Sequence, residues 1–168
     1  AREISAGLLA DKNSPEDLDE MAKLDLPIID LVCVDMYPLE EVVNEGVSKD
    51  EVILKTDIGG PTMLRSAAKG HRIVLSVASQ REEVLEWLRN GRPAEDDMLD
   101  QLAARAEYEC ARYIWQSAHY LGGEKVSGAL GIASAPTKYG ENPWQTPAAF
   151  YADNRIGAHR APRDIVEV

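Results

Sequence analysis

The sequence is poor in cysteine and histidine, and this shortage argues against several kinds of site. Its only cysteines in 168 residues are Cys33 and Cys110, and neither has a second Cys or a His at metal-ligand spacing. Both lie in apolar segments, so we interpret them as small buried hydrophobic residues. The three His residues share no spacing, and no metal site is predicted.

Basic residues and long hydrophobic runs are also scarce. The chain has 18 Lys+Arg against 29 Asp+Glu, a formal net charge of −11. That charge opposes attraction to phosphate backbones and anionic lipid surfaces, so neither nucleic acid nor a membrane is expected as a partner. No secretory signal opens the chain and no run of about 18 apolar residues occurs, so we expect a soluble, cytoplasmic protein.

Strand-like and helix-like segments alternate along the first two thirds of the chain. The apolar run at 28–34 is typical of a strand buried on both faces, and 72–78 of a second buried strand. The remaining periodic segments predict helices at 15–24 with Ser14 as its cap, two between 39 and 56, one from 61 to 70, one at 80–90 and a long one at 94–121. This alternation predicts an α/β fold with a parallel sheet between helix layers.

Composition changes after residue 123, where Gly, Ala and Pro become frequent and aliphatic side chains few. We therefore predict one domain over residues 1–123 and, over 124–168, a linker followed by an extended C-terminal tail.

Three features of the sequence contain residue types that could bind a ligand or transfer a proton. Each of them also has a purely structural explanation. In Asp57-Ile58-Gly59-Gly60-Pro61, two glycines let the backbone approach a ligand at a helix N-terminus, although short turns of this kind are common. Lys69 could keep Asp57 ionised if the chain folds back, or it could simply complement the helix dipole. Tyr37 could donate a proton at a strand end, or cover the core as a rim residue.

Three ordered strings resemble one protein family, the bifunctional AICAR transformylase/IMP cyclohydrolases. Residues 57–71 are very similar to its Asp-Ile-Gly-Gly-Pro…Ala-Ala-Lys-Asn-His block, residues 29–39 to its Ile-Asp-Leu-Val-Val-Val-Asn-Leu-Tyr-Pro-Phe block, and residues 138–145 to its Arg-Tyr-Gly-Glu-Asn-Pro-His-Gln string. The resemblance spans roughly residues 7–151. It implies a methylglyoxal-synthase-like fold for the later part of the cyclohydrolase domain, followed by the start of the transformylase domain.

The resemblance also implies an activity, ring closure of 5-formyl-AICAR to IMP with loss of water. Tyr37, Asp57 and Lys69 would then move protons, and the substrate-binding residues would be Asp35, Met36, Ile58, Gly59, Lys138 and Tyr139. The cyclohydrolase reaction needs no metal or cofactor, whereas 10-formyltetrahydrofolate belongs to the transformylase domain, whose catalytic Lys-His segment is missing from this sequence. A homodimer or a complementing subunit is the partner that the resemblance implies.

The sequence departs from the family pattern at several points. Asp35, Gly70 and Trp144 replace Asn, Asn and His, and the family's phosphate-binding loop and Lys-Thr-Leu-His-Pro block have no counterpart here. We therefore expect weak or absent cyclisation by this chain alone. The alternatives to a cyclohydrolase fragment or split subunit are an inactive or repurposed nucleotide-binding or assembly domain, and an unrelated α/β enzyme.

Overall fold

The computed structural model describes residues 2–126 and 128–152, without the side chains of Glu124 and Ala152. The chain divides into two compact units, Ala1–Lys125 and Val126–Val168. This division falls two residues after the 123/124 boundary expected from composition.

The first unit contains two short parallel strands and seven helices among its described residues. In chain order these elements are α1 (Arg2–Leu9), α2 (Pro15–Lys23), β1 (Leu31–Cys33), α3 (Leu39–Asn44), α4 (Lys49–Leu54), α5 (Gly59–Lys69), β2 (Ile73–Leu75), α6 (Gln80–Arg89) and α7 (Glu95–Gly122), followed by a 3-10 turn (Gly123–Lys125). The strands pair in parallel, with Leu31 opposite Ile73 and Cys33 opposite Leu75. The predicted α/β class with a parallel sheet is confirmed.

Local chemistry sets the helix ends where the sequence predicted them. The Ser14 hydroxyl accepts the Asp17 N–H at 3.2 Å, and the Ser48 hydroxyl accepts the Glu51 N–H at 3.3 Å. These bonds satisfy N–H groups that have no partner inside the helix, so α2 and α4 begin where a serine caps them.

The core lies where β1 and β2 meet α5 and α7. Its fully buried side chains include Leu64, Val74 and Ala106. In α7, Leu102, Ala106 and Cys110 lie at four-residue spacing and are buried. One turn further on, Ile114 is 53% exposed, whereas Tyr113 is buried in a second apolar cluster, against which Tyr120 also packs.

The prediction that β1 is buried on both faces is wrong. Val32 is buried, whereas Leu31 and Cys33 are exposed. β1 has β2 as its only partner strand among the described residues, and solvent reaches its second face. A β-branched run indicates a strand, but the number of layers that cover the strand depends on other segments. The interpretation of Cys33 as buried is wrong for the same reason, while that of Cys110 is confirmed.

Helix α1 was not predicted from the sequence. The contacts that hold its C-terminal end come from residues far away in the chain, which explains why the local sequence did not indicate it. The buried guanidinium of Arg72 donates from Nε to the Leu8 carbonyl at 3.0 Å and from a terminal nitrogen to the Ala10 carbonyl. Burial lowers the pKa of Arg72. The Gly7 carbonyl accepts the Ile29 backbone N–H at 3.0 Å. Since the partners of these carbonyls are distant in sequence, no local cap signal exists.

Gly70 caps the C-terminal end of α5 and lies against the C-terminal end of α1. A Cβ at this position would lie 1.9 Å from the Leu8 carbonyl oxygen, a distance that no side chain tolerates. The glycine that stands where the related family has Asn is therefore required by the position of α1.

The second unit contains an antiparallel hairpin of β3 (Ile132–Thr137) and β4 (Ala148–Ala152), which was not predicted. We predicted an extended tail because these strands are rich in Ala and lack a clear alternation. The register shifts between Ala133 and Ala135, and such a bulge breaks the period of two that identifies a strand. Residues 153–168 of the predicted tail lie outside the described residues.

Candidate functional site

A groove of about 750 Å3 on the first unit is lined by residues of α5 and α7. Its size is within the range of small-molecule sites. Leu9 and residues 56–58 also line it, and a smaller hollow of about 350 Å3 shares Thr56, Ile58, Ser117 and Leu121 with it. Of the predicted site residues, Asp57, Ile58 and Lys69 line the groove.

The side of the groove formed by α5 is a polar stripe. Thr62, Arg65, Ser66 and Lys69 line it, and their spacing of three, four and seven residues places them on one helix face. Leu64 and Ala67, on the opposite side, are fully buried. Arg65 and Ser66 were not predicted as site residues, although this stripe, with its helical period, was visible in the sequence.

Asp57 lies at the N-terminal end of α5. Its Oδ1 accepts the Gly60 N–H at 2.8 Å, so the carboxylate caps the helix. A Cβ on Gly60 would lie 2.5 Å from Asp57 Oδ2 and 3.2 Å from Met36 Cγ. Gly60 therefore permits the close approach of Asp57 and Met36 to this helix end.

Tyr113 of α7 fixes the backbone beside Asp57. Its hydroxyl accepts the Asp57 N–H at 2.7 Å. Burial raises the pKa of Tyr113, and the bond from Asp57 partly offsets that effect. The residue was not predicted as part of the site, because a contact between positions 56 residues apart leaves no mark in local sequence.

Lys69 lines the same groove at the other end of α5. No hydrogen bond or ion pair joins it to Asp57 within the described part of the chain. Helix geometry puts these ends about 15 Å apart along the axis, so the direct pair considered from sequence does not form. Between them, Arg65 Nε donates to Glu107 Oε2 at 3.0 Å.

The predicted residues that follow β1 are not part of the lining of this groove. Tyr37 is 64% exposed, and Asp35 forms an ion pair with Arg81 on the first turn of α6. A hydrogen bond with Cys33 raises the pKa of Arg81, and the pair with Asp35 raises it further. Arg81 therefore balances the negative charge of Asp35. Gly59 opens α5 beside Ile58, which lines the groove.

Lys138 and Tyr139 belong to the second unit, in the loop that joins β3 and β4. The Lys138 ammonium lies 6.0 Å from the centroid of the Tyr139 ring. The same loop is closed by a bond from the Gly140 N–H to the Gln145 carbonyl at 2.9 Å. The third family-like string is therefore a hairpin loop.

Neither a metal-binding cluster nor a membrane-spanning helix occurs among the described residues. Across 2–126 and 128–152, no group of three His, Cys, Asp or Glu residues could hold a metal ion. In the same ranges no helix is both long and apolar enough to cross a bilayer.

Comparison with known proteins identifies curated relatives named for purine biosynthesis. No protein-family model matches the chain. It is 34% identical over 146 residues to the bifunctional purine biosynthesis protein PurH of Staphylococcus aureus strain Newman, a match that covers 85% of this chain and 28% of the relative. The protein of the same name from strain USA300 matches to the same extent. The chain thus spans little more than a quarter of the length of these curated relatives.

Among solved structures, the crystal structure of ForH is similar to this fold. The TM-score is 0.60 at 30% sequence identity, and the match covers 74% of this chain and 66% of ForH. The likeness is consistent with the methylglyoxal-synthase-like fold expected from the family strings.

Proposed function

The chain is a partial-length member of the family of the bifunctional purine biosynthesis protein PurH, and from this premise we propose that it acts in purine biosynthesis, in the closure of 5-formyl-AICAR to IMP. The observation that carries the proposal is the groove, because Asp57, Ile58 and Lys69 all line it. These are three of the nine residues to which the family resemblance assigns roles.

The reaction needs a proton acceptor near the attacking nitrogen. The carboxamide nitrogen bonds to the formyl carbon and loses one proton, and the formamide nitrogen loses the second proton as it forms a double bond to that carbon. The formyl oxygen takes up two protons and leaves as water. Asp57 is suited to accept the first proton, since Oδ1 is used by the Gly60 N–H and Oδ2 remains for the substrate. Tyr113 holds the Asp57 backbone, so the carboxylate is positioned before the substrate binds.

Because this chain alone is expected to cyclise weakly, the test is single-turnover IMP formation from 5-formyl-AICAR, with the full chain or one of two variants in excess over the substrate. In Asp57→Asn the amide oxygen can still cap α5, so a loss of turnover would report the lost carboxylate rather than a lost helix end. Lys69→Met removes the ammonium from the groove, and Lys49→Met, on exposed α4, is its matched control. Turnover that neither groove variant lowers would exclude this site.

A second candidate is nucleotide binding without turnover. It is favoured by the position of Tyr37, which is 64% exposed and outside the groove lining. In that case calorimetry would detect IMP binding by the chain while no IMP is formed from 5-formyl-AICAR. A homodimer or a complementing subunit remains part of the proposal, and sedimentation of the purified chain would measure its stoichiometry.

A further inference from the structure

We propose that the Tyr113 hydroxyl is a hydrogen-bond donor to the substrate, and that together with the Asp57 carboxylate it binds an amide edge of the ligand. In such an edge an N–H and a C=O lie side by side, so Asp57 accepts from the nitrogen while Tyr113 donates to the oxygen. The inference rests on the proposed function, because it concerns the same groove and the same ligand. It adds a residue to which the family strings assign no role.

The Tyr113 hydroxyl has a hydrogen to donate. Its oxygen accepts the Asp57 N–H at 2.7 Å, and across residues 2–126 and 128–152 no acceptor takes its hydrogen. A hydroxyl can accept and donate at the same time, and accepting one bond polarises the O–H toward donating another. Because Tyr113 lines the groove, a ligand oxygen bound there can accept this hydrogen.

Asp57 supplies the complementary acceptor beside this donor. Its Oδ1 accepts the Gly60 N–H at 2.8 Å, which leaves Oδ2 for a ligand. The Tyr113 hydroxyl bonds to the backbone of Asp57 itself, so the donor and the acceptor are held together at one place in the groove. Such a pair is complementary to a primary carboxamide and to the lactam edge of a purine ring.

The hydroxyl keeps its hydrogen at neutral pH. Burial raises the pKa of Tyr113 by more than the bond from the Asp57 N–H lowers it, and the charge of Asp57 raises it as well. Only 6% of Tyr113 is exposed, and a hydrogen bond made in such a place is stronger than one made in water. Tyr113 is therefore a donor and not a base.

A donor at the carboxamide oxygen favours the step assigned to Asp57. When the carboxamide nitrogen gives its proton to Asp57, the negative charge left behind is shared with the carboxamide oxygen. A hydrogen bond from Tyr113 to that oxygen stabilises this charge as it develops, and Tyr113 keeps its own proton throughout. In the closed ring the same oxygen is the carbonyl oxygen of IMP, so the product can be used to test the contact.

The experiment is calorimetric titration of the full chain with IMP and with 6-thio-IMP, in which sulfur, a weak acceptor, replaces that carbonyl oxygen. The two ligands have the same ribose and phosphate, so their contacts elsewhere cancel. The chain should bind IMP roughly tenfold more tightly than 6-thio-IMP, because one hydrogen bond is lost. Tyr113→Phe should bind IMP roughly tenfold more weakly than the parent chain does and should no longer distinguish the two ligands.

Tyr108→Phe is the matched control. Tyr108 lies on the same helix outside the groove lining, and its buried hydroxyl has no hydrogen-bond partner in the described part of the chain. This variant should keep the preference for IMP. In single-turnover assays with the chain at saturating excess, Tyr113→Phe should slow ring closure, whereas Tyr108→Phe should not.

A purely structural role for Tyr113 gives a different result. If the hydroxyl only holds Asp57 in place, Tyr113→Phe weakens both ligands equally and keeps the preference of the parent chain, and the inference is wrong. A Tyr113-dependent preference for IMP in a chain that forms no IMP would support the inference and exclude the proposed reaction. IMP formation by a chain that binds both ligands equally would support the reaction and exclude the contact. Binding of neither ligand overturns the inference.

Discussion

Gly70 has a side-chain hydrogen where the end of α1 leaves no room for a carbon atom. We expect Gly70→Asn to destabilise the chain by about 1–3 kcal/mol, the usual cost of overpacking, because its Cβ would overlap the Leu8 carbonyl oxygen. Urea unfolding followed by circular dichroism measures this. Gly59→Ala is the control, since its Cβ would meet its nearest atom, Asp57 Oδ1, at 3.8 Å. Equal stability of Gly70→Asn and the parent chain would contradict the packing described for α1.

The two thiols differ in access and in acidity. Burial raises the pKa of Cys110 to about 11, whereas Cys33 is exposed on β1. A raised pKa means less thiolate at a given pH, so at pH 8 Cys110 has only about one thiolate in a thousand thiols and should be inert. A disulfide reagent at pH 8 should therefore modify one thiol per folded chain and two after denaturation. Cys33→Ser should then show none in the folded state, and rapid labelling of that variant would refute the assignment.

At the scale of elements, α1 is held by the buried Leu8 and by the Arg72 side chain. Arg72→Met removes the donors to the Leu8 and Ala10 carbonyls. Each carbonyl left without a partner costs about 1–3 kcal/mol while it stays buried, so α1 should open locally instead. Amide hydrogen exchange should then accelerate in residues 2–9 more than in α7. Arg89→Met, at an exposed site on α6, should leave that exchange unchanged, and protection of α1 in both variants would argue against the anchor.

The elements that local chemistry defines were predictable, and those that distant contacts define were not. Ser14 and Ser48 fix helix starts through neighbours three residues away, so a short stretch of sequence reveals them. The attachment of α1 depends on Arg72, more than sixty residues away. The hairpin of β3 and β4 lacks the alternation that marks a strand, and the exposed face of β1 depends on which layers surround it.

The same distinction between local signals and distant contacts applies to the residues of the candidate site. The family strings identified Asp57, Ile58 and Lys69, and the structure puts all three on one groove. Glu107 and Tyr113 come from α7, whose pattern indicates only a packing helix. Tyr113 is found through a hydrogen bond to the Asp57 backbone, and no spacing rule connects positions so far apart.

For the whole molecule, the division at Lys125 predicts that the first unit folds by itself. A chain ending at Lys125 contains both strands of the parallel sheet and the complete groove. We expect it to unfold cooperatively and to keep the thiol pattern of the full chain, since Cys33 and Cys110 are both retained. Thermal unfolding followed by circular dichroism measures this, and a truncated chain without a cooperative transition would contradict it.

The open face of β1 also bears on how the protein behaves at high concentration. A short strand with exposed Leu31 and Cys33 is a template for pairing between molecules. Asp30 and Asp35 flank it, paired with Lys12 and Arg81, and charges at both ends of an apolar strand act as gatekeepers against aggregation. The bond from Lys12 lowers the pKa of Asp30, so this gatekeeper keeps its charge as the solution is acidified. The charged residues at the two ends of β1 therefore oppose self-association through this exposed strand.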